Sequence, residues 1–138
     1  MKVRTSVALA GSAAALATAG LLAGPALASS ASATHTLQFS THSIAMHNFG
    51  KTGGVSLDKD THAGKVVAYD MLDYVSANGA DVSLGLPHGF LYAHVTFSKT
   101  GAITGKVTGG TGAYKGDTGT VKGQAGKSGA TVTVKYHH

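Results

Sequence analysis

The sequence contains no cysteine and no glutamate. Without cysteine the chain can form neither a disulfide nor a thiol nucleophile, and it also lacks the Gly-x-Ser-x-Gly segment that presents a serine nucleophile. Its fold must therefore be stabilised by packing and backbone pairing alone. A closed β-barrel meets this requirement well, because closure leaves no strand edge unpaired.

Acidic side chains are few and basic ones are dispersed. Six acidic residues, all aspartate, stand against 11 lysine and arginine residues, for a formal net charge of +5. The lysines form no basic run, whereas a nucleic-acid reader needs a clustered basic patch. We therefore expect no nucleic-acid partner, and at most a loose affinity for anionic polymers.

The chain has eight histidines, but their spacing does not favour a metal site. A strand presents two ligands on one face when they are spaced His-x-His, and this spacing does not occur. His137 and His138 are adjacent and terminal. The sequence predicts neither a metal site nor a cofactor.

Residues 1–33 have the layout of a secretory signal peptide. Lys2 and Arg4 precede an uncharged run of small and apolar residues, and small-residue cleavage motifs end at Ala28 and Ala33. A transmembrane anchor is the alternative, because the run is just long enough to span a bilayer. The cleavage motifs favour a secreted domain over residues 34–138, without stable membrane insertion.

Residues 34–138 have room for one compact domain built from short strands. Segments that alternate apolar with polar residues are separated by turn signals, of which Asn78-Gly79 is a strong example. This pattern predicts an all-β fold, either an eight-stranded antiparallel up-and-down β-barrel or a small sandwich. A change of parity predicts a β-bulge between Ser40 and Ser43. The eight predicted strands are 34–47, 55–62, 64–75, 81–84, 90–98, 103–108, 118–125 and 130–136.

A glycine-rich segment, residues 109–119 (GGTGAYKGDTG), lies between the sixth and seventh predicted strands. Glycine permits positive φ and close backbone approach, so this density indicates a tight, irregular corner. A phosphate-binding loop is the rival interpretation, but the Walker and dinucleotide spacings are absent and a strand follows instead of a helix. Tyr114 is interpreted as a plug over the barrel end. The structural corner comprises Gly109, Gly110, Gly112, Tyr114, Gly116 and Gly119.

This segment resembles the GGTG-x-aromatic-x-G-x-x-G signature of the allene oxide cyclase and dirigent barrel superfamily. Residues 64–70 (GKVVAYD) are similar to that family's glycine-led apolar strand bearing an aspartate. The resemblance covers residues 63–136, and the chain is most similar to small exported actinobacterial members. It implies an eight-stranded antiparallel barrel with a central cavity, often oligomeric. Relatives either cyclise a reactive small molecule or steer the stereochemistry of a coupling.

The chain also departs from that family. Plant members place polar and acidic side chains inside the cavity, whereas this chain has no glutamate, and Asp70 alone among its aspartates lies near a family-like position. Some bacterial relatives carry cysteines in the middle strands, and this chain has none. The resemblance therefore assigns no catalytic residue.

Three residues are candidates for ligand contact: Asp70, Tyr92 and His94. On an inward face, Asp70 would be a carboxyl group in an apolar lumen, with a raised pKa and an acid or hydrogen-bonding role. Tyr92 and His94 point the same way along their strand and could donate hydrogen bonds to a ligand. Alternation does not tell which face is inward, so the alternative for each is a solvated outer position.

Three function classes remain. The first is a barrel that binds a small, largely apolar molecule and isomerises or orients it, for which proximity alone can suffice. The second is a structural barrel with a filled core, since eight strands enclose either packed side chains or one small ligand. The third is wall-polymer binding, which requires lysines gathered on one face. We expect the first, with self-association as a further expectation.

Overall fold

The computed structural model describes residues 32–138, which form eight antiparallel strands in one closed barrel. Strands neighbouring in sequence pair with each other, and the first pairs with the last to complete the closure. The predicted eight-stranded up-and-down barrel is confirmed, and the sandwich is excluded. The predicted leader lies outside the described residues except for its last two. The strands are β1 His35–Phe49, β2 Gly53–His62, β3 Lys65–Ser76, β4 Gly79–Leu86, β5 Gly89–Phe97, β6 Ala102–Gly110, β7 Thr118–Gly126 and β8 Gly129–His137.

Strand boundaries and the bulge differ from the sequence prediction. β4 is longer than predicted because Gly79 and Gly85, which have no side chain to show alternation, still pair through their backbones with β5. The predicted bulge between Ser40 and Ser43 is wrong in position, since the β1–β2 register shifts between Ser43 and Ala45. Every second side chain of β1 therefore points into the barrel as far as Ser43.

The core lies inside the barrel and follows the two-residue period of the strands. On β8, Val132 and Val134 are buried while Lys135 is exposed. The regular alternation of apolar and polar residues in this segment therefore matches the inner and outer faces of the strand. Each buried valine or leucine contributes about 1.5–3 kcal/mol relative to an exposed position. The buried apolar residues are Phe39, Ala68, Ala80, Leu84, Leu91, Val95, Ile103, Val107, Val121, Val132 and Val134.

One barrel end is covered by the glycine-rich corner. Its 3₁₀ helix, Gly112–Tyr114, is the sole helical element among the described residues, and no helix in that part of the chain could span a membrane. Gly112 has φ +60°, and a Cβ there would collide with the carbonyl oxygen of His88. Tyr114 is half-buried and packs edge-on against Tyr136, with ring centroids 5.8 Å apart. The corner thus presses Tyr114 against the barrel end.

Candidate functional site

A cavity of about 490 Å³ occupies the barrel interior. It reaches the turns that follow β3 and β5, where Ala77, Ser98 and Gly101 line it, and these turns lie at the end opposite the glycine-rich corner. Cavities of this volume hold small ligands. The wall is mostly apolar and includes Phe39, Leu72, Tyr74, Val82, Leu84, Leu91, Ala93, Val95, Phe97, Ile103, Val121, Val132 and Val134.

Aspartates occupy one side of this interior because β2 inverts the usual pattern of an amphipathic strand. Ser56, Asp58 and Asp60 are buried on its inner face, whereas Leu57 lies on the outer face and is 42% exposed. Asp70 of β3 is buried next to them. The barrel interior therefore combines an apolar wall with three carboxyl groups, of which those of Asp58 and Asp70 line the cavity.

The strand register brings these groups together. Asp58 lies directly opposite Asp70 on the β2–β3 pair, and Asp60 lies opposite Thr41 of β1. The Thr41 hydroxyl donates a hydrogen bond to Asp58 Oδ2, at 3.3 Å. One oxygen each of Asp58 and Asp70, both oxygens of Asp60 and the Ser56 hydroxyl are buried without a hydrogen-bond partner. Such orphaned groups are rare in native proteins and call for an explanation.

Burial changes the acidity of two of these aspartates. Desolvation, with a further contribution from the charges of Asp60 and Asp58, raises the pKa of Asp70 to about 8. Desolvation also raises the pKa of Asp60 to about 6, against the opposing effect of the Thr41 hydroxyl and with the charge of Asp58 adding to the rise. Asp70 is thus a carboxylic acid that keeps its proton at neutral pH.

The structure separates the three candidate ligand residues. Asp70 lines the cavity, as the inward alternative requires. Tyr92 and His94 lie on the outer face of β5, because Leu91, Ala93 and Val95 take the inner positions of that strand. The hypothesis that Tyr92 and His94 reach a ligand in the lumen is therefore corrected.

The two outer residues have other partners. His94 Nδ1 lies 2.7 Å from Asp81 Oδ1 across the β4–β5 pair, and both side chains are about half exposed. The ring of Tyr92 is nearly parallel to that of Phe90, with centroids 6.5 Å apart. Both contacts belong to the barrel's outer surface.

Sequence reasoning missed Asp58 and Asp60. Charged residues at alternate positions normally indicate the solvated face of a strand, so Val55 and Leu57 would be expected inside. One signal could have revealed them. Gly54, Ser56, Asp58 and Asp60 occupy alternate positions of β2 and so share one face, and β2 pairs with the aspartate-bearing strand β3. That pattern identifies one common face but not its direction.

The described residues include no group of three or more histidine, aspartate or glutamate side chains placed to hold a metal ion. The lining of the cavity also contains no lysine, arginine or histidine among these residues. Within residues 32–138, the carboxyl groups that line the cavity therefore face no positively charged side chain.

Comparison with solved structures supports this barrel fold. A pyocyanin demethylase matches with a TM-score of 0.60 and 22% identity over 74% of this chain and 99% of its own. A pterocarpan synthase dirigent protein matches with a TM-score of 0.55 and 16% identity over 88% of this chain and 99% of its own. No protein-family model and no curated protein sequence matches the chain. The chain therefore shares the closed barrel fold of these two proteins.

Proposed function

We propose that this protein is a secreted barrel that binds a small, largely apolar molecule in its lumen and steers or catalyses the cyclisation of that molecule. The observation that carries this proposal is the cavity of about 490 Å³, walled by apolar side chains and bordered by Asp58 and Asp70. A barrel with a filled core would leave no such volume. The hollow lumen favours ligand binding over a purely structural role.

Asp70 gives the lumen a chemical function. Because its pKa is raised to about 8, the folded protein offers a protonated carboxyl group at neutral pH. Such a group donates a hydrogen bond to a ligand oxygen, or transfers a proton to it, most effectively when its pKa lies near the working pH. The apolar wall fixes the ligand's orientation, and orientation alone can control which ring closure occurs.

The structural neighbours support a small molecule as the ligand class. One is named for the demethylation of pyocyanin and the other for the synthesis of a pterocarpan. Secretion is supported by the charged start and apolar run of residues 1–33. No cofactor is needed for the proposed role of Asp70.

A titration with N-phenyl-1-naphthylamine, a neutral apolar fluorophore, tests the proposal. Binding to the folded barrel raises its thermal midpoint with the logarithm of probe concentration. Ala93→Phe places bulk in the lumen and should abolish the response, whereas His94→Ala, on the neighbouring outer position, should preserve it. A probe-independent midpoint, or equal effects of both variants, contradicts a ligand site in the lumen.

A second candidate function, binding of an anionic wall polymer, is favoured by the distribution of charge. Four of the six aspartates, at positions 58, 60, 70 and 117, are buried, so the outer surface is more basic than the sequence indicates. Lys106, Lys122 and Lys135 are exposed on the shared outer face of β6, β7 and β8, separated by threonines.

Replacing these three lysines by glutamine should weaken retention on immobilised polyphosphate, whereas Lys51→Gln, in the β1–β2 turn, should not. Equal retention of all variants excludes this function.

A further inference from the structure

Asp58, Asp60 and Asp70, the three aspartates buried inside the barrel, have no counter-charge on any strand that packs around them. β1 contributes Thr41 and Ser43, β3 contributes Asp70 and Tyr74, and β4 contributes only apolar side chains. The facing wall, from β5 to β8, is lined by apolar residues and glycine within the described cavity apart from Ser98 at its mouth. Every titratable group facing the cluster is therefore acidic: Asp58, Asp60, Asp70 and the phenol of Tyr74.

An unpaired carboxylate in an apolar interior is costly, and a protein relieves the cost by protonating the group or by pairing it. Asp58 and Asp70 each keep one buried oxygen without a partner, and both residues line the cavity. A neutral apolar ligand would leave the two carboxyl groups without a counter-charge. A cation in the cavity that they line would supply one.

Aromatic side chains line the cavity as well. Phe39, Tyr74 and Phe97 belong to its wall, and the rings of Tyr74 and Phe97 have centroids 6.0 Å apart. Aromatic faces attract both flat rings and cations. The aromatic wall thus favours a flat apolar body, and the aspartates favour a positive group on the same molecule.

We propose that the lumen selects a flat, ring-containing organic cation, with its positive charge directed at Asp58 and Asp70. This inference rests on the proposed binding of a ligand in the lumen and specifies the class of that ligand. It does not rest on Asp70 acting as an acid, because the cluster pairs with the cation by giving up a proton. When such a cation binds, release of a proton from the carboxyl cluster becomes favourable. The charge of the cation then replaces the charge of the proton. The affinity for the cation should therefore rise with pH across the range in which Asp60 and Asp70 lose their protons, from about 6 to about 8.

The test compares two probes of nearly equal shape, N-methylacridinium, which has a fixed charge, and acridine, which is neutral at mildly alkaline pH. Fluorescence titration of the purified protein at about pH 8 should show the cation binding about tenfold tighter or more. Calorimetry in two buffers of different ionisation enthalpy should detect proton release with the cation and none with acridine. The affinity for N-methylacridinium, whose own charge is fixed, should fall between about pH 8 and pH 5, because the cluster becomes protonated over that range.

Matched variants separate charge selection from lumen binding. The double variant Asp58→Asn, Asp70→Asn should abolish the preference for the cation but retain acridine binding, and Asp73→Asn on the outer face should change neither. Equal binding of both probes to the native protein, or an unchanged preference in the double variant, overturns the cation proposal and leaves the lumen site intact. If neither probe binds between about pH 5 and pH 8, both proposals fail.

Discussion

Asp58 of β2 lies directly opposite Asp70 of β3, with both side chains buried inside the barrel. Like charges at directly opposed positions of an antiparallel pair are destabilising, and burial increases that cost. The folded protein limits the cost by keeping a proton on Asp70, whose pKa is raised to about 8. The same juxtaposition therefore reduces stability at high pH and provides the acid proposed for the site.

The first prediction concerns stability against pH. Asp70 releases its proton near 3.8 in the unfolded chain and near 8 in the folded protein. Its contribution to stability is therefore fully present below about pH 4 and is lost as the pH rises to about 8. Asp70→Asn removes this loss, so the thermal midpoint of the variant should fall less between about pH 5 and pH 8 than that of the native protein.

Asp73→Asn is the matched control for that measurement, since Asp73 is exposed on the outer face of the same strand. Its midpoint should follow the native pH profile. An Asp70→Asn profile identical to the native one would show that Asp70 does not hold a proton in the fold.

The second prediction concerns the glycine-rich corner. Gly112 has positive φ, and a Cβ at Gly110 would lie 2.6 Å from the carbonyl oxygen of Tyr114. Replacing either glycine by valine should lower the free energy of unfolding by about 1–3 kcal/mol. Lys115→Ala, at an exposed position of the same corner, should have little effect. Equally small losses for all three variants in denaturant unfolding would mean that the corner tolerates any backbone geometry.

Much of the fold could be predicted from the sequence because strand period and turn chemistry are local properties. The alternation of Val132 and Val134 with Lys135 identifies a strand and its two faces, and eight such strands without cysteine favour closure. The direction of each face is not local, because it depends on the closure of the whole sheet. For that reason Asp58 and Asp60 were missed, and Tyr92 and His94 remained open candidates.

The volume of the lumen could not be predicted from the alternation of apolar and polar residues. The volume of the lumen depends on the total size of the side chains that point into it, such as those of Ala93 and Val121. The alternation of apolar and polar residues contains no information on that total. The resemblance of residues 109–119 to a barrel superfamily indicated a cavity only by likeness. The acidic side of the lumen emerges only from the β2–β3 register.

The third prediction concerns export. The apolar run and the motifs ending at Ala28 and Ala33 should direct secretion and cleavage between Ala28 and Thr34. Mass spectrometry of the culture supernatant should find a protein whose N-terminus lies in that interval. Recovery of membrane-bound, full-length chain alone would support the anchor interpretation instead.

The fourth prediction concerns self-association through the outer face of β2 to β5. Large apolar side chains are exposed there, and Lys59 lies toward one end of the face while Asp73 and Asp81 lie toward the other. A second copy, turned end for end, would pair these charges and cover the apolar residues. The exposed apolar residues of this face include Leu57, Val67, Tyr69, Met71, Phe90 and Tyr92.

Sedimentation velocity measures this association. The native protein should sediment as an oligomer, and Met71→Lys should shift it toward the monomer. Thr120→Lys, on the outer face of β7, should leave the native distribution unchanged. A native protein that is monomeric at high concentration would contradict association through this face.

The most direct test of ligand binding in the lumen is the position of a bound probe, measured by intermolecular NOEs from N-phenyl-1-naphthylamine to assigned side chains. Val95 and Val121 line the cavity, whereas Met71 and Phe90 are exposed on the outer surface, so the two groups report different sites. We predict NOEs to Val95 and Val121 and none to Met71 or Phe90. NOEs confined to Met71 and Phe90 would place the ligand on the outer apolar face and contradict a binding site inside the barrel.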